Sequence, residues 1–424
     1  MLWSALANAG ESPEQVEFES RLHRDRMTLT IYFSIGFWGW FIMSIGPMVP
    51  LITKEFGVSK GVGGLHGTAI AVGAVAVGLV SHRLVQYLGR RPIMLIGTCL
   101  MTAGALMLAA GPNVVVTLAG AMIIATGGNL IVNVAQPALS VQHKLHGPAA
   151  VTEANAVSAV AGIFGPLALG GAVMLGWGWR PANLVTVVLG ISAFLLISRL
   201  PTEGALDGRT RQKVSARSQP RVKAPAAGAD KGYTPAFWFF VIGVTSGVAI
   251  ELSTSFWAAD LIGARTGAGD GIASAVLSAL FAGMALARII GGRLAMRYAP
   301  EKLMILAFGI AGVGWLLLWT STHTGLSFAA LLLTGIGFGL HYPLGVALVM
   351  RASEGRPDAA QAIATVSVGI ATALAPFALG ALADRVGSHQ AFVIVPIVAA
   401  IGTAAVYLGL RDVHKRLKAA SGPQ

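Results

Sequence analysis

One acidic residue of this 424-residue sequence stands near the middle of a long apolar run: Glu251, in the stretch from Ala249 to Trp257. In a bilayer an ionisable group at that depth costs roughly 2.5–3.5 kcal/mol, so its presence asks for a purpose. Three roles fit. Glu251 can take up and release a proton as its surroundings change, it can serve a bound solute as counter-charge or acceptor, or it can stay protonated and bonded to a neighbouring helix. Ser255 follows four residues on, on the same helical face.

A second pattern is Thr126, Asn129, Asn133 and Gln136. The spacings of three, four and three put all four on one face of a helix. Amides offer both donors and acceptors, which suits a neutral polyhydroxylated solute. They also suit helix–helix hydrogen bonding, at about 0.6 kcal/mol on average. Three amides on one face exceed what packing needs, so a cavity face is expected. His341, Tyr342 and Pro343 form a third group, with the histidine either a proton relay or a hydrogen-bonded structural residue. Among the aromatics, Trp38, Tyr342 and Trp257 are the expected stacking surfaces for a solute; others belong to the interfacial belt. The expected solute contacts are therefore Asn129, Asn133, Gln136, Trp38, Tyr342 and Trp257, and the expected proton handlers are Glu251 and His341.

No set of residues points to an enzyme. There is no Gly-Lys dipeptide and hence no P-loop, no HExxH and no CxxC. His143 and His146 read as a solvated loop pair. No metal and no cofactor is expected. The lone cysteine, Cys99, allows no intrachain disulfide.

The elements that carry these groups follow from composition. The chain is 55% hydrophobic and only 11% charged, with a mean hydropathy of +0.71. A soluble domain carries about 25% charged residues, so this is a polytopic membrane protein. Its 54 glycines follow no collagen period. Twelve apolar runs are long enough to cross a bilayer: 27–53, 62–82, 92–111, 115–139, 153–177, 181–200, 235–262, 271–292, 303–322, 325–350, 359–383 and 389–410. Segments of alternating hydrophobicity that would mark a β-barrel are missing. The acidic start, Glu11 to Asp25, is unlike a cleavable signal.

With the N-terminus inside, 24 of the 30 basic residues fall on inner tails and loops. Lys54, Lys60, Arg180, Arg265 and Arg385 fall outside, and Arg288 lies within a span. The bias places both termini in the cytoplasm. It also accounts for the +12 net charge without nucleic acid.

Residues 201–234 break the apolar rhythm with seven basic residues and three prolines. They read as a cytoplasmic linker between six-span units at 27–200 and 235–410, with tails at 1–26 and 411–424. Pro166 to Gly170 and Pro376 to Gly380 repeat at an offset of 210, in the fifth and eleventh spans. The expected fold is an all-α membrane protein of twelve transmembrane helices in two six-helix pseudo-symmetric bundles.

These features resemble the major facilitator superfamily. Its loop signature between spans two and three, G-x-x-x-D-R-x-G-R-R, reads here His82, Gln86, Gly89, Arg90 and Arg91 at the diagnostic positions. The second-half counterpart, Gly292 and Arg293, has Met296 where an acid is expected, while Gly380, Asp384, Arg385 and Gly387 match better. The resemblance implies that Arg90, Arg91, Asp384 and Arg385 latch helices in one access state, against a topogenic role for the arginines. Gly162 to Gly171 resembles the Gly-Pro motif of drug:proton antiporters with one extra residue, and Glu153 to Arg180 is similar to sugar-permease-like importers. The expected function is a proton-coupled secondary transporter of a small organic solute working by alternating access. An exporter of amphiphilic compounds and a non-transporting receptor on the same fold are the alternatives. A monomer in a bacterial inner membrane is expected, its partners being solute, protons and lipid.

Overall fold

The computed structural model describes residues 22–143, 146–207, 232–295, 297–354 and 356–420. Much of the expected linker (208–231), residues 1–21, Lys144, Met296 and residues 421–424 lie outside the described residues. The regular elements are helices: α1 (Arg26–Phe56), α2 (Lys60–Leu88), α3 (Arg90–Ala110), α4 (Val114–His143), α5 (Gly147–Met174) and α6 (Trp179–Ser198) in the first half. The second half holds α7 (Pro235–Thr266), α8a (Asp270–Val276), α8b (Ser278–Ala295), α9 (Pro300–Thr320), α10 (Thr324–Arg351), α11 (Pro357–Val386), α12a (Ser388–Ala391) and α12b (Ile394–Ala420). They make twelve candidate membrane spans, as the apolar runs predict.

The helices overrun the apolar runs because their ends are set by caps, not by hydropathy. Asp25 caps α1 by accepting from the Thr28 amide at 2.8 Å, and its other oxygen accepts from Gln142 at 2.8 Å. Burial pushes the Asp25 carboxyl up, but the bonds from Thr28 and Gln142 outweigh it and leave the group below its ordinary value. Thr234 caps α7 in the same way. Gly57 and Gly267 end α1 and α7 at φ 61° and 68°, a left-handed conformation that glycine adopts without strain.

Spans eight and twelve are interrupted, which the apolar runs did not foretell. At Leu277 the bonding shortens to three residues, Leu277 N to Ser274 O and Leu280 N to Leu277 O. Hydropathy is blind to that change. In span twelve Pro396 lacks the donor that would close on Phe392, and the chain turns there.

Helices α1–α6 pack on one another, as do α7–α12b, and the halves meet through α2–α11, α5–α8 and α1–α7. The 210-residue repeat extends to packing. Gly97 lies on Gly127 and Ala307 on Gly337; Gly73 lies on Met122 and Thr126, Gly283 on Leu332 and Ile336; Gly104 lies on Ile124 and Gly314 on Thr334. Small residues at these crossings let the helix axes approach.

Candidate functional site

The spans end on two sides: a terminal side, which carries the described ends of the chain, and a far side. The halves are joined on the far side. Lys54 pairs with Asp270 at 2.6 Å, and Lys60 pairs with Asp260 at 2.6 Å while donating to Ser388 at 2.6 Å. Ser388 in turn donates to Asp260. Asp384, at the end of α11, accepts the backbone N–H groups of Lys60 and Gly61 at 2.8 Å each. A carboxylate from one half thus caps a helix N-terminus of the other, where the helix dipole favours it. Beneath these charges the backbones touch. A Cβ on Gly64 would meet Phe377 Cα at 2.6 Å, Gly170 lies on Gly271, Gly46 lies on Ser255, and Thr68 donates to the Ala373 carbonyl at 2.5 Å. A vestibule of about 490 Å³, lined by Lys54, Lys60, Asp260, Asp270 and Asp384, lies over the closure.

On the terminal side no hydrogen bond or ion pair joins the halves among the described residues. Each half is tied within itself. Arg24 clamps Glu153 at 2.6 and 2.8 Å, and the Tyr32 hydroxyl donates to Glu153 at 3.1 Å. Arg351 meets Glu301 at 3.4 Å. Arg24 is raised above its ordinary value by its bond to Glu153.

Glu251 lies just on the terminal side of the closure. It lines a cavity of about 80 Å³ with Ile42, Gly46, Gly67, Phe281 and Thr372, so five helices from both halves converge on it. The α4 stripe flanks the same central space. Gly128 rests on the Trp38 indole of α1, and Thr126 rests on Gly73 of α2. Asn129, Asn133 and Gln136 lie on the face between those two contacts, with Asn133 exposed. Asn129 donates to the Ala125 carbonyl of its own helix at 2.8 Å. None of the three amides bonds to another helix among the described residues, so helix–helix gluing does not account for them. Tyr342 occupies the corresponding face of α10, between the contacts of Gly339 with Met284 on α8b and of Gly345 with Val244 on α7, and is 42% exposed. Glu251 thus lines the small cavity, while the amide stripe, Trp38 and Tyr342 lie outside its lining, on α1 itself or on helices that pack against the helices forming it.

Two expected site residues lie elsewhere. His341 is fully buried inside the second half, stacked on Phe308 at 4.1 Å and packed against Gly247. It faces α7 and α9, one residue from Tyr342 and so about 100° around the helix from the cavity. Neither ring nitrogen has a hydrogen-bond partner among the described residues, so the expected relay and the hydrogen-bonded structural role both lack their contacts. Trp257 sits in the closure itself. Its indole N–H donates to the Pro376 carbonyl at 2.8 Å, and its ring edge lies against Gly63. A solute coming from the terminal side meets Glu251 first.

Two arginines of the loop signature bond to carbonyls of the first half. Arg90 donates to the Ala205 carbonyl at 2.7 Å, and Arg91 donates to the carbonyls of Ile197 and Ser198, tying α3 to the end of α6. Asp384 does bridge the halves, whereas Arg385 is exposed beside it. Sequence reasoning passed over Lys54, Lys60 and Asp270 as residues that join the halves. The available signal was that three of the five outer basic residues, Lys54, Lys60 and Arg180, stand on the first half while Asp260 and Asp270 stand on the outer ends of the second. Among the described residues no group of three or more His, Cys, Asp or Glu is placed to hold a metal ion.

Comparison with known proteins agrees with this geometry. The sequence profile described as Major Facilitator Superfamily matches residues 29–261 and 239–424. An uncharacterized MFS-type transporter of Mycobacterium tuberculosis is 29% identical over 170 residues, which is 40% of this chain and 29% of that relative's length. The crystal structure of the nucleoside transporter NupG superposes with a TM-score of 0.68 at 12% identity, over 92% of this chain and 98% of that one. A bacterial homolog to the human lysosomal transporter Spinster, in an inward-facing and unoccupied conformation, gives 0.69 at 14% identity, over 96% and 99%.

Proposed function

Because the chain belongs to the major facilitator superfamily, we propose that it is a proton-coupled secondary transporter carrying a small polar organic solute by alternating access. The observation that carries this reading is the asymmetry of the contacts between halves. Among the described residues, hydrogen bonds and ion pairs join the halves on the far side and not on the terminal side, and Glu251 lies on the terminal side of the closure. The charge bias of the loops supports cytoplasmic termini, which makes the conformation inward-open.

In this reading solute binds among Trp38, Asn129, Asn133, Gln136 and Tyr342, and Glu251 carries the proton. The far-side closure suits reversible switching. Exposed ion pairs are worth about 0.2–1 kcal/mol each and a helix cap about 1 kcal/mol, so differential binding of a solute can match them. His341 is not needed for the proton path. The test is solute-driven pH change in proteoliposomes. Glu251→Gln should bind solute and exchange it, but no longer move protons with it. Coupled accumulation by Glu251→Gln at the wild-type level would remove Glu251 from the coupling role.

A further inference from the structure

A second ionisable group inside a candidate span has no place in that reading. Arg288 lies on α8b, inside the candidate span Asp270–Gly291. Seven residues separate it from Phe281, which lines the Glu251 cavity, so both stand on the same helical face. Leu286 and Ile290, two residues away on either side, point to the opposite face and are exposed there, as lipid-facing residues are. Arg288 is itself exposed, on the inward face and about two turns toward the open side from Phe281. It makes neither a hydrogen bond nor an ion pair among the described residues, although its charge acts on the Glu251 carboxyl. Arg91, Arg180 and Arg351, near the ends of their helices, find carbonyls or acids, and arginines without such a bond, such as Arg83 and Arg385, stand exposed near span ends rather than facing inward.

Three residues inside the end of its span, this guanidinium faces inward rather than to lipid and has no acid of its own among the described residues, so a visiting negative charge would pair it. We propose that Arg288 is the anion-binding residue of the cavity and that the transported solute is a small organic oxyanion, a monocarboxylate by charge. The guanidinium fork matches a carboxylate through two parallel N–H···O bonds. The amide stripe and Tyr342 then hold the remainder of the solute. Charge count sets the valence: one guanidinium faces one carboxyl, so a monoanion entering with a proton on Glu251 leaves the cavity neutral. That last step rests on the coupling role of Glu251; the anion site does not.

The experiment uses the purified full-length chain and a probe panel of small monocarboxylates, dicarboxylates and phosphate monoesters, with the matching neutral amides and alcohols. Thermal stabilisation reads binding, and proteoliposome uptake reads transport. Monocarboxylates should stabilise the wild type while their amides do not, Arg288→Gln should abolish the effect, and Arg288→Lys should bind roughly tenfold more weakly, since ammonium keeps the charge but loses the fork. An unliganded Tm close to wild type shows that each variant folds, and the Lys variant keeps the test open if the Gln variant does not. Selective stabilisation by phosphate monoesters or dicarboxylates would replace the monocarboxylate assignment. Stabilisation by none of the anions, or equally by the amides, would overturn the anion site. Glu251→Gln separates the two readings, because loss of proton flux with carboxylate binding intact supports both, whereas retained proton flux with Arg288-dependent binding removes the coupling role alone.

Discussion

Asp384 holds two amides of a helix that belongs to the other half, at 2.8 Å each, and so reports directly on the closure. Removing a cap of this kind costs about 1–2 kcal/mol, with the helix dipole included. Asp384→Ala should therefore raise the population open on the far side roughly tenfold. Labelling of a cysteine introduced at Ser274, in the vestibule wall, measures this in a Cys99→Ser background; an unchanged rate would deny Asp384 a gating role. Arg91→Ala serves as the contrast. Its bonds stay within one half, so it should lower Tm without altering the labelling rate. The helical faces of single residues were legible in the sequence; what those faces meet was not. Spacing placed the α4 amides on one face, and the contacts of Gly128 with Trp38 and of Thr126 with Gly73 set that face between α1 and α2. No spacing told that His341 turns toward Phe308, or that Trp257 reaches Pro376, because those directions depend on neighbours far along the chain.

Helices α2 and α11 cross where a side chain on Gly64 would strike the Phe377 backbone, whereas Gly127 meets Gly97 inside the first half. The two glycines look alike in sequence and should respond differently. Gly64→Val should wedge the closure, since overpacking costs about 1–3 kcal/mol and the open state relieves it. Far-side labelling should rise while Tm changes little. Gly127→Ala meets the same kind of obstacle in both states, so it should lower Tm and leave labelling unaffected. Equal effects of the two substitutions would contradict the assignment of one crossing to the moving interface. At this scale hydropathy found all twelve spans. It missed the break at Leu277, where the residues remain apolar while the hydrogen bonds shorten, and it did not read Pro396 as the break in span twelve.

The two halves were readable from the offset of 210 between Pro166 and Pro376, and the same offset recurs in the packing of α3 on α4 and of α9 on α10. Which side of the molecule is closed was not readable, because it depends on pairs such as Lys60 with Asp260 that lie 200 residues apart. The central claim is that closure on the far side and opening on the terminal side exclude each other. Pulsed electron–electron distance measurement in proteoliposomes tests it, with spin labels on Tyr87 and Val366 for the terminal side and on Trp177 and Ile272 for the far side. All four residues are exposed, and each pair spans the two halves. Wild type without solute should show a long terminal-side and a short far-side distance, and Lys60→Ala with Asp384→Ala should add a population in which both are reversed. A far-side distance that lengthens while the terminal-side distance stays long would contradict alternating access.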